Sequence, residues 1–276
     1  MKGILKTLVN LSSDVKEEEK LYKEEKVQNN VVAFTGAVGG SGVTTIACTV
    51  AEILAKKNKT VALVDANQIK PSCNMYFNVE STSKKDIIDR IVEPSIPLKE
   101  LAIEVPGIEF LHIFNTSILK SVFDVQSINL PNMVKLFKDL KDAYDIVILD
   151  MPQDYLFELG YIAICEASLV LTVFNNSLHC IPHLDKMKAL YERANMGNKL
   201  NSVILNQVTP GLSRKRKLLD KGINTVYELP FSYSIMINSS IGLKVLEHKF
   251  NTDKELEKFI INCNYIADGI LGGVGK

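Results

Sequence analysis

Residues 31–45 read Val31-Val32-Ala33-Phe34-Thr35-Gly36-Ala37-Val38-Gly39-Gly40-Ser41-Gly42-Val43-Thr44-Thr45. An apolar run is followed by a glycine-rich stretch and then by Ile46, Val50, Ile53 and Leu54 at helical spacing. The pattern predicts a buried strand, a tight turn and the first turns of a helix. Glycines at 39, 40 and 42 let several backbone N–H groups point into one concavity. The helix that follows adds the positive end of its dipole, and the two together suit a phosphate. The same run also occurs in α/β proteins as a turn that binds nothing.

Two residues depart from a working phosphate loop. The Walker pattern is Gly-x-x-x-x-Gly-Lys-Ser/Thr. Here Ala37 stands in place of the first glycine and Val43 in place of the lysine, while Thr44 keeps the hydroxyl that reaches Mg2+. A valine offers no charge-assisted hydrogen bond, an interaction worth about 1.5–3 kcal/mol. The stretch thus predicts a phosphate-loop fold with weakened chemistry.

Outward from the loop, apolar runs alternate with helix-period stretches. Thr60 to Asp65, Ile108 to Ile113, Tyr144 to Asp150, Ser168 to Phe174, Asn201 to Asn206 and a short run at Val226 to Leu229 read as strands. Residues 126–142, 181–194, 234–247 and 253–271 read as helices. Alternation of this kind predicts an α/β fold: a doubly wound, mostly parallel sheet flanked by helices. Ligands in such sheets bind beyond the carboxyl ends of the strands, where Asp65, Asp150 and the glycine loop all emerge. A less regular insertion spans about 67–107.

Composition narrows the field. The 276 residues are 46% hydrophobic and 23% charged, and 32 basic residues balance 32 acidic ones. No global field favours nucleic acid or membrane, so any such contact needs a local patch. The five cysteines, at 48, 73, 165, 180 and 263, form no C-x-x-C pair, which suits a reducing cytoplasm. No apolar run reaches the ~18 residues of a membrane span, and the first eleven residues are too short and interrupted for a secretory signal.

Residues 1–30 form an extension ahead of a domain spanning 31–276. Met1, Ile4, Leu5, Leu8, Val9 and Leu11 share one side of a helical wheel, opposite Lys2, Lys6 and Asn10. The pattern suits a short amphipathic helix over 1–11 for weak membrane or partner contact at the inner face, and equally a frayed N-terminus or a helix packed on its own domain. From Lys16 to Lys26 only Leu21 and Tyr22 are uncharged, as in a solvated linker. Arg214-Lys215-Arg216-Lys217 is the one dense basic cluster, fit for DNA phosphates or anionic lipid, or for a solvated helix flank. His179 and His183 flank Cys180 and Pro182; without a further ligand nearby, structural roles are expected.

With these motifs in view, residues 30–270 resemble the deviant-Walker-A ATPases, the P-loop family of MinD, ParA and the pilus-assembly proteins TadZ and CpaE. The family loop Lys-Gly-Gly-x-Gly-Lys-Thr-Thr is matched by Val38-Gly39-Gly40-Ser41-Gly42-Val43-Thr44-Thr45, with both lysines replaced by valine. Asp65-Ala66-Asn67 matches an Asp-x-Asp, and Tyr144 to Pro152 matches the Walker B segment. Val203 to Asn206 is similar to the strand whose Asn contacts adenine; Leu229-Pro230-Phe231 with Ser240 to Leu246 is similar to the family's ending. The middle segment, from Asn74 to Leu111, leans toward the TadZ/CpaE branch.

The resemblance implies ATP or ADP held by Gly39, Gly40, Ser41, Gly42, Val43, Thr44, Thr45, Asn206 and Pro230, and Mg2+ held by Thr44, Asp65 and Asp150. It also implies a homodimer around two nucleotides, whose bridging lysine is Val38 here. Asn67 stands at the family's water-activating position and can orient water but not take its proton. Three functions fit. One is a degenerate nucleotide-binding factor that positions or assembles a pilus or secretion system with little hydrolysis. Another is an active ATPase of plasmid or chromosome partition. The last is a nucleotide-free interaction scaffold. All three are expected in the cytoplasm or at the inner face of the membrane.

Overall fold

The computed structural model describes residues 30–67, 72–80, 84–116, 130–152, 158–247 and 253–272. The extension expected over 1–30, including the amphipathic 1–11, lies outside the described residues but for Asn30. Eight strands form one sheet: β1 (Val31–Gly36), β2 (Val61–Asp65), β3 (Ile103–Val105), β4 (Ile108–Asn115), β5 (Ile146–Asp150), β6 (Leu169–Asn175), β7 (Ser202–Val208) and β8 (Thr225–Pro230). Their order is β3-β4-β2-β5-β1-β6-β7-β8, and every pair is parallel except the terminal β3–β4. This is the doubly wound, mostly parallel sheet that the alternation of elements predicts.

The period of two along each strand divides the core into two layers. Val31 and Ala33 of β1, Val147 and Leu149 of β5, and Val170 and Phe174 of β6 face one side. There they meet helices α3 (Ile87–Val92), α4 (Leu130–Ala143), α5 (Glu158–Glu166) and α6 (Cys180–Arg193). The alternate residues Val32, Phe34, Leu63, Ile146, Ile148 and Val173 face the other side. These pack on α1 (Val43–Lys56), α2 (Cys73–Phe77) and the C-terminal helix, which becomes α9 (Lys254–Leu271) once α7 (Lys215–Asp220) and α8 (Tyr233–Ile241) are counted. Strands buried on both faces explain the near-continuous Val/Ile/Leu runs.

Two local departures have physical causes. The helical period over 234–247 is broken, because Gly242 takes a left-handed φ of 72° and caps α8. A separate 3₁₀ turn follows at Val245–Glu247. The insertion after β2 is more ordered than its composition suggests. It carries α2, α3 and β3, and α3 opens on a reciprocal capping box between Asp86 and Asp89. Tyr76 of α2 ties this insertion to its surroundings: its hydroxyl lies 3.0 Å from Thr49 Oγ1 of α1 and accepts from the Val245 N–H at 3.2 Å.

Among the described residues, no helix is long and apolar enough to cross a membrane. The α1–α9 layer is the main cover of the sheet on the loop side, with Phe259 fully buried there. Phe259→Ala is expected to lower unfolding free energy by about 3–5 kcal/mol without shifting the sheet, as read by urea denaturation with circular dichroism.

Candidate nucleotide site

The glycine loop leaves β1 at the point where the strand order reverses, between β5 on one side and β6 on the other. Its shape depends on close approach. A Cβ on Gly36 would sit 2.9 Å from Ser41 Oγ and 3.0 Å from Val43 Cγ2. Gly40 and Gly42 take left-handed φ values of 73° and 91°, open to glycine at no steric cost. A Cβ on Gly42 would meet Asn206 Nδ2 at 2.5 Å. That amide donates to the Ser41 carbonyl at 2.8 Å, so a residue at the end of β7 holds the loop in its turn.

The backbone N–H groups from Val38 to Thr45 donate to no protein group among the described residues; the first internal bond of the helix runs from Ile46 N–H to the Gly42 carbonyl at 3.0 Å. Such a row of free donors at a helix start is an anion cradle. Ser41 Oγ is also buried there without a partner. Val43 turns its side chain against Gly36 and the adjoining core, so the lysine position carries no charge into the cradle.

Beside the cradle lies a corner of carboxylates. Asp65 and Asp150 end β2 and β5 as register partners, and both are shut off from solvent. Thr44 Oγ1 donates to Asp150 Oδ2 at 2.7 Å. Asp65 is held by backbone donors: Ser72 N–H at 2.6 Å and Cys73 N–H at 2.9 Å to Oδ2, and Asn67 N–H at 3.2 Å to Oδ1. No lysine or arginine among the described residues pairs with either carboxylate. Burial raises the pKa of Asp65 against the pull of those N–H groups. Burial, reinforced by the charge of Asp65, pushes Asp150 up to about 7.

The structure thus brings together Gly39, Gly40, Ser41, Gly42, Val43, Thr44, Thr45 and Asn206 at the loop, with Asp65, Asn67 and Asp150 at the corner. Asn206, matched to an adenine contact by resemblance, spends one N–H on the loop itself. Pro230 ends the edge strand β8 opposite Val208, three strands away from β1. Sequence reasoning missed Cys73, whose thiol reaches Asp150 Oδ2 at 3.5 Å; no spacing rule links it to the strand ends. It also missed Gly36, for which the glycine itself was the only signal. His179 and His183 stack at 6.2 Å, and Cys180 between them is buried in the core, so the three do not converge as ligands. In the basic cluster, Arg214 donates to the Asn176 carbonyl at 3.1 Å, while Lys215, Arg216 and Lys217 are exposed.

Comparison with known families agrees with this geometry. The sequence profile of the AAA domain family matches residues 29–202, from the strand before the loop through the start of β7. The chain belongs to the AAA domain family. Its fold is that of the MinD/ParA P-loop ATPases. This AAA domain is 23% identical to the septum site-determining protein MinD of Synechocystis over 81% of the chain and 84% of that relative. It is 33% identical to an uncharacterized ATP-binding protein of Methanocaldococcus jannaschii, over 46% of the chain and 45% of that relative, so it spans less than half of that relative's length. Among solved structures, the MinD cell division protein of Aquifex aeolicus superposes with a TM-score of 0.69 at 22% identity, covering 88% of this chain and 97% of that one. MinD of Pyrococcus horikoshii, complexed with Mg-ADP, gives 0.68 at 17% identity over 89% and 98%.

The raised carboxyl of Asp150 has a direct consequence for stability. Between roughly pH 4 and pH 7 the folded AAA domain keeps a proton there that the unfolded chain has released, so this group's contribution is greatest below that window and is lost as pH rises through it. In EDTA, melting temperature is expected to fall from pH 5 to pH 8, and the fall is expected to be smaller in Asp150→Asn. Differential scanning fluorimetry across the range checks both.

Proposed function

We propose that this AAA domain binds an adenine nucleotide with Mg2+, hydrolyses it slowly or not at all, and acts as a positioning or assembly factor for a pilus or secretion system. The observation that carries the reading is the free N–H cradle of the loop beside the Thr44–Asp150 hydrogen bond, with valine at the lysine position. Both groups fit the residues present. A row of donors unpaired among the described residues suits phosphates, and two buried carboxylates without a cationic partner among those residues suit a divalent cation. In this reading the N–H groups from Gly39 to Thr45 hold the phosphates, Thr44, Asp65 and Asp150 hold the cation, and Asn206 and Pro230 border the base. Bound Mg2+ supplies charge to offset that of the phosphates.

The same residues account for weak turnover. Positive charge around the transferring group usually does more than any other factor to speed phosphoryl transfer, and positions 38 and 43 both lack it. Asn67 orients water without accepting its proton, and a general base contributes about 10²–10⁴-fold. The relatives named above are a MinD and an ATP-binding protein, which supports nucleotide binding; the pilus or secretion setting rests on the likeness of the middle segment to TadZ and CpaE. A homodimer here would lack the bridging lysine at Val38 and would therefore form independently of nucleotide. In this reading residues 1–11 and the cluster Arg214 to Lys217 supply weak contacts to membrane, anionic lipid or DNA, and the protein works in the cytoplasm or at the inner membrane face.

A second reading, an active ATPase of plasmid or chromosome partition, is favoured by the intact carboxylate corner and by the fold likeness to a plasmid partition protein of Borrelia burgdorferi bound to AMPPNP, with a TM-score of 0.65. A nucleotide-free scaffold remains the outcome if the cradle takes no ligand. Titration with fluorescent ATP and Mg2+ separates them. Saturable binding with turnover at background upholds the proposal, a rate abolished by Asp150→Ala upholds the partition ATPase, and no binding upholds the scaffold. Val43→Lys is expected to tighten binding about 10–100-fold, the equivalent of the 1.5–3 kcal/mol of one charge-assisted hydrogen bond.

A further inference from the structure

The carboxylate corner contains a ligand that a Mg2+ site does not use. The thiol of Cys73 and the carboxyls of Asp65 and Asp150 offer one ligand atom each, all within 4.8 Å of one another and all buried. Cys73 is placed by its own backbone. Its N–H donates to Asp65 Oδ2 at 2.9 Å while its Sγ faces Asp150 Oδ2 at 3.5 Å, so one residue spans both carboxylates. The second thiol, Cys48 of α1, lies beside Cys73.

That separation has a meaning for coordination. Around a tetrahedral Zn2+, oxygen ligands sit at about 2.0 Å and thiolate sulfur at about 2.3 Å, so an oxygen and a sulfur bound to one ion lie about 3.5 Å apart. The Cys73–Asp150 distance is already 3.5 Å. Mg2+ takes oxygen ligands in octahedral geometry and leaves a thiol unused, whereas thiolate with carboxylate selects borderline-soft cations. The corner also needs positive charge: two buried carboxylates have no lysine or arginine partner among the described residues, and Val43 removes the lysine that the loop would otherwise supply. Thr44, only partly buried, borders the corner on the loop side.

We propose that Asp65, Cys73 and Asp150 form a three-ligand site for one thiophilic divalent cation of the Zn2+ or Co2+ class, which binds without nucleotide. The inference rests on the reading of this corner as a cation site and not on nucleotide binding. As the metal–sulfur bond forms, the Cys73 thiol gives its proton to solvent, and the two carboxylates bind in their ionised form. Uptake of the cation therefore releases protons and strengthens with pH.

The full chain, stripped of metal with EDTA and dialysed, is titrated with Co2+ alone. The expected result is a near-ultraviolet sulfur-to-cobalt charge-transfer band with intense tetrahedral visible bands, saturating at one equivalent and bleached by one equivalent of Zn2+. In Cys73→Ser the charge-transfer band is expected to vanish, with Zn2+ affinity down at least about 100-fold, the upper end for loss of a mere outer-shell partner; in Cys48→Ala the band is expected to remain. A wild-type chain that shows no sulfur band overturns the proposal, as does a band that survives Cys73→Ser. X-ray absorption on the Zn2+-loaded wild-type chain needs no variant: one sulfur at about 2.3 Å supports the site, and an all-oxygen or all-nitrogen shell overturns it. A chain that takes up Co2+ in this way yet binds no ATP upholds this site and sinks the nucleotide reading. One that binds ATP with Mg2+ but gives no sulfur band sinks this inference alone.

Discussion

Two carboxylates placed in register at the ends of neighbouring strands, out of reach of water and without a basic partner among the described residues, are a costly arrangement. Ionised, they repel one another in a medium of low polarity; neutral, at least one must hold a proton near pH 7. The surroundings answer this cost with donors rather than charges. Three backbone N–H groups converge on Asp65, and a hydroxyl and a thiol converge on Asp150. A site built this way is hydrogen-bonded on its own, and in the proposed reading a cation adds charge that the donors do not supply.

The loop beside it is built on the same lines. Its donors point outward and unpaired, and its turn is fixed from behind by the Asn206 amide on the Ser41 carbonyl. Replacing lysine by valine at position 43 turns a side chain that would have reached into the cradle into one that packs on Gly36 and the core. The cradle keeps its shape while losing its strongest fixed charge. Shape without charge is the physical basis of the proposed separation of binding from turnover.

How much of this was legible in the sequence depends on how local each feature is. Asp65 and Asp150 close apolar runs, and a run ending in a carboxylate marks a strand end at the ligand edge whatever lies elsewhere. The glycines at 39, 40 and 42 likewise announce a turn within a few residues. Cys73 could not be found in this way. It reaches Asp150 only because the chain after β2 folds back until Ser72 and Cys73 donate to Asp65, a contact between segments 77 residues apart in the case of the thiol. Asn206 lies 165 residues from the carbonyl that it holds, and its placement is a property of strand order. Gly242 shows the opposite failure: periodicity continued through a helix that one left-handed residue brings to an end.

Tyr76 gives the corner a mechanical connection to the far end of the chain. Its buried hydroxyl is shared between Thr49 of α1 and the backbone N–H of Val245, and α2, which carries it, starts at the very residue whose N–H and thiol grip the two carboxylates. Pulling the phenol from either partner strands a polar group away from water, a penalty of about 1–3 kcal/mol. The five-residue α2 therefore bridges the carboxylates at its first residue and the turn that follows α8 at Tyr76. One short helix and one hydrogen bond thus join the residue that touches both carboxylates to Val245, 169 residues beyond Tyr76.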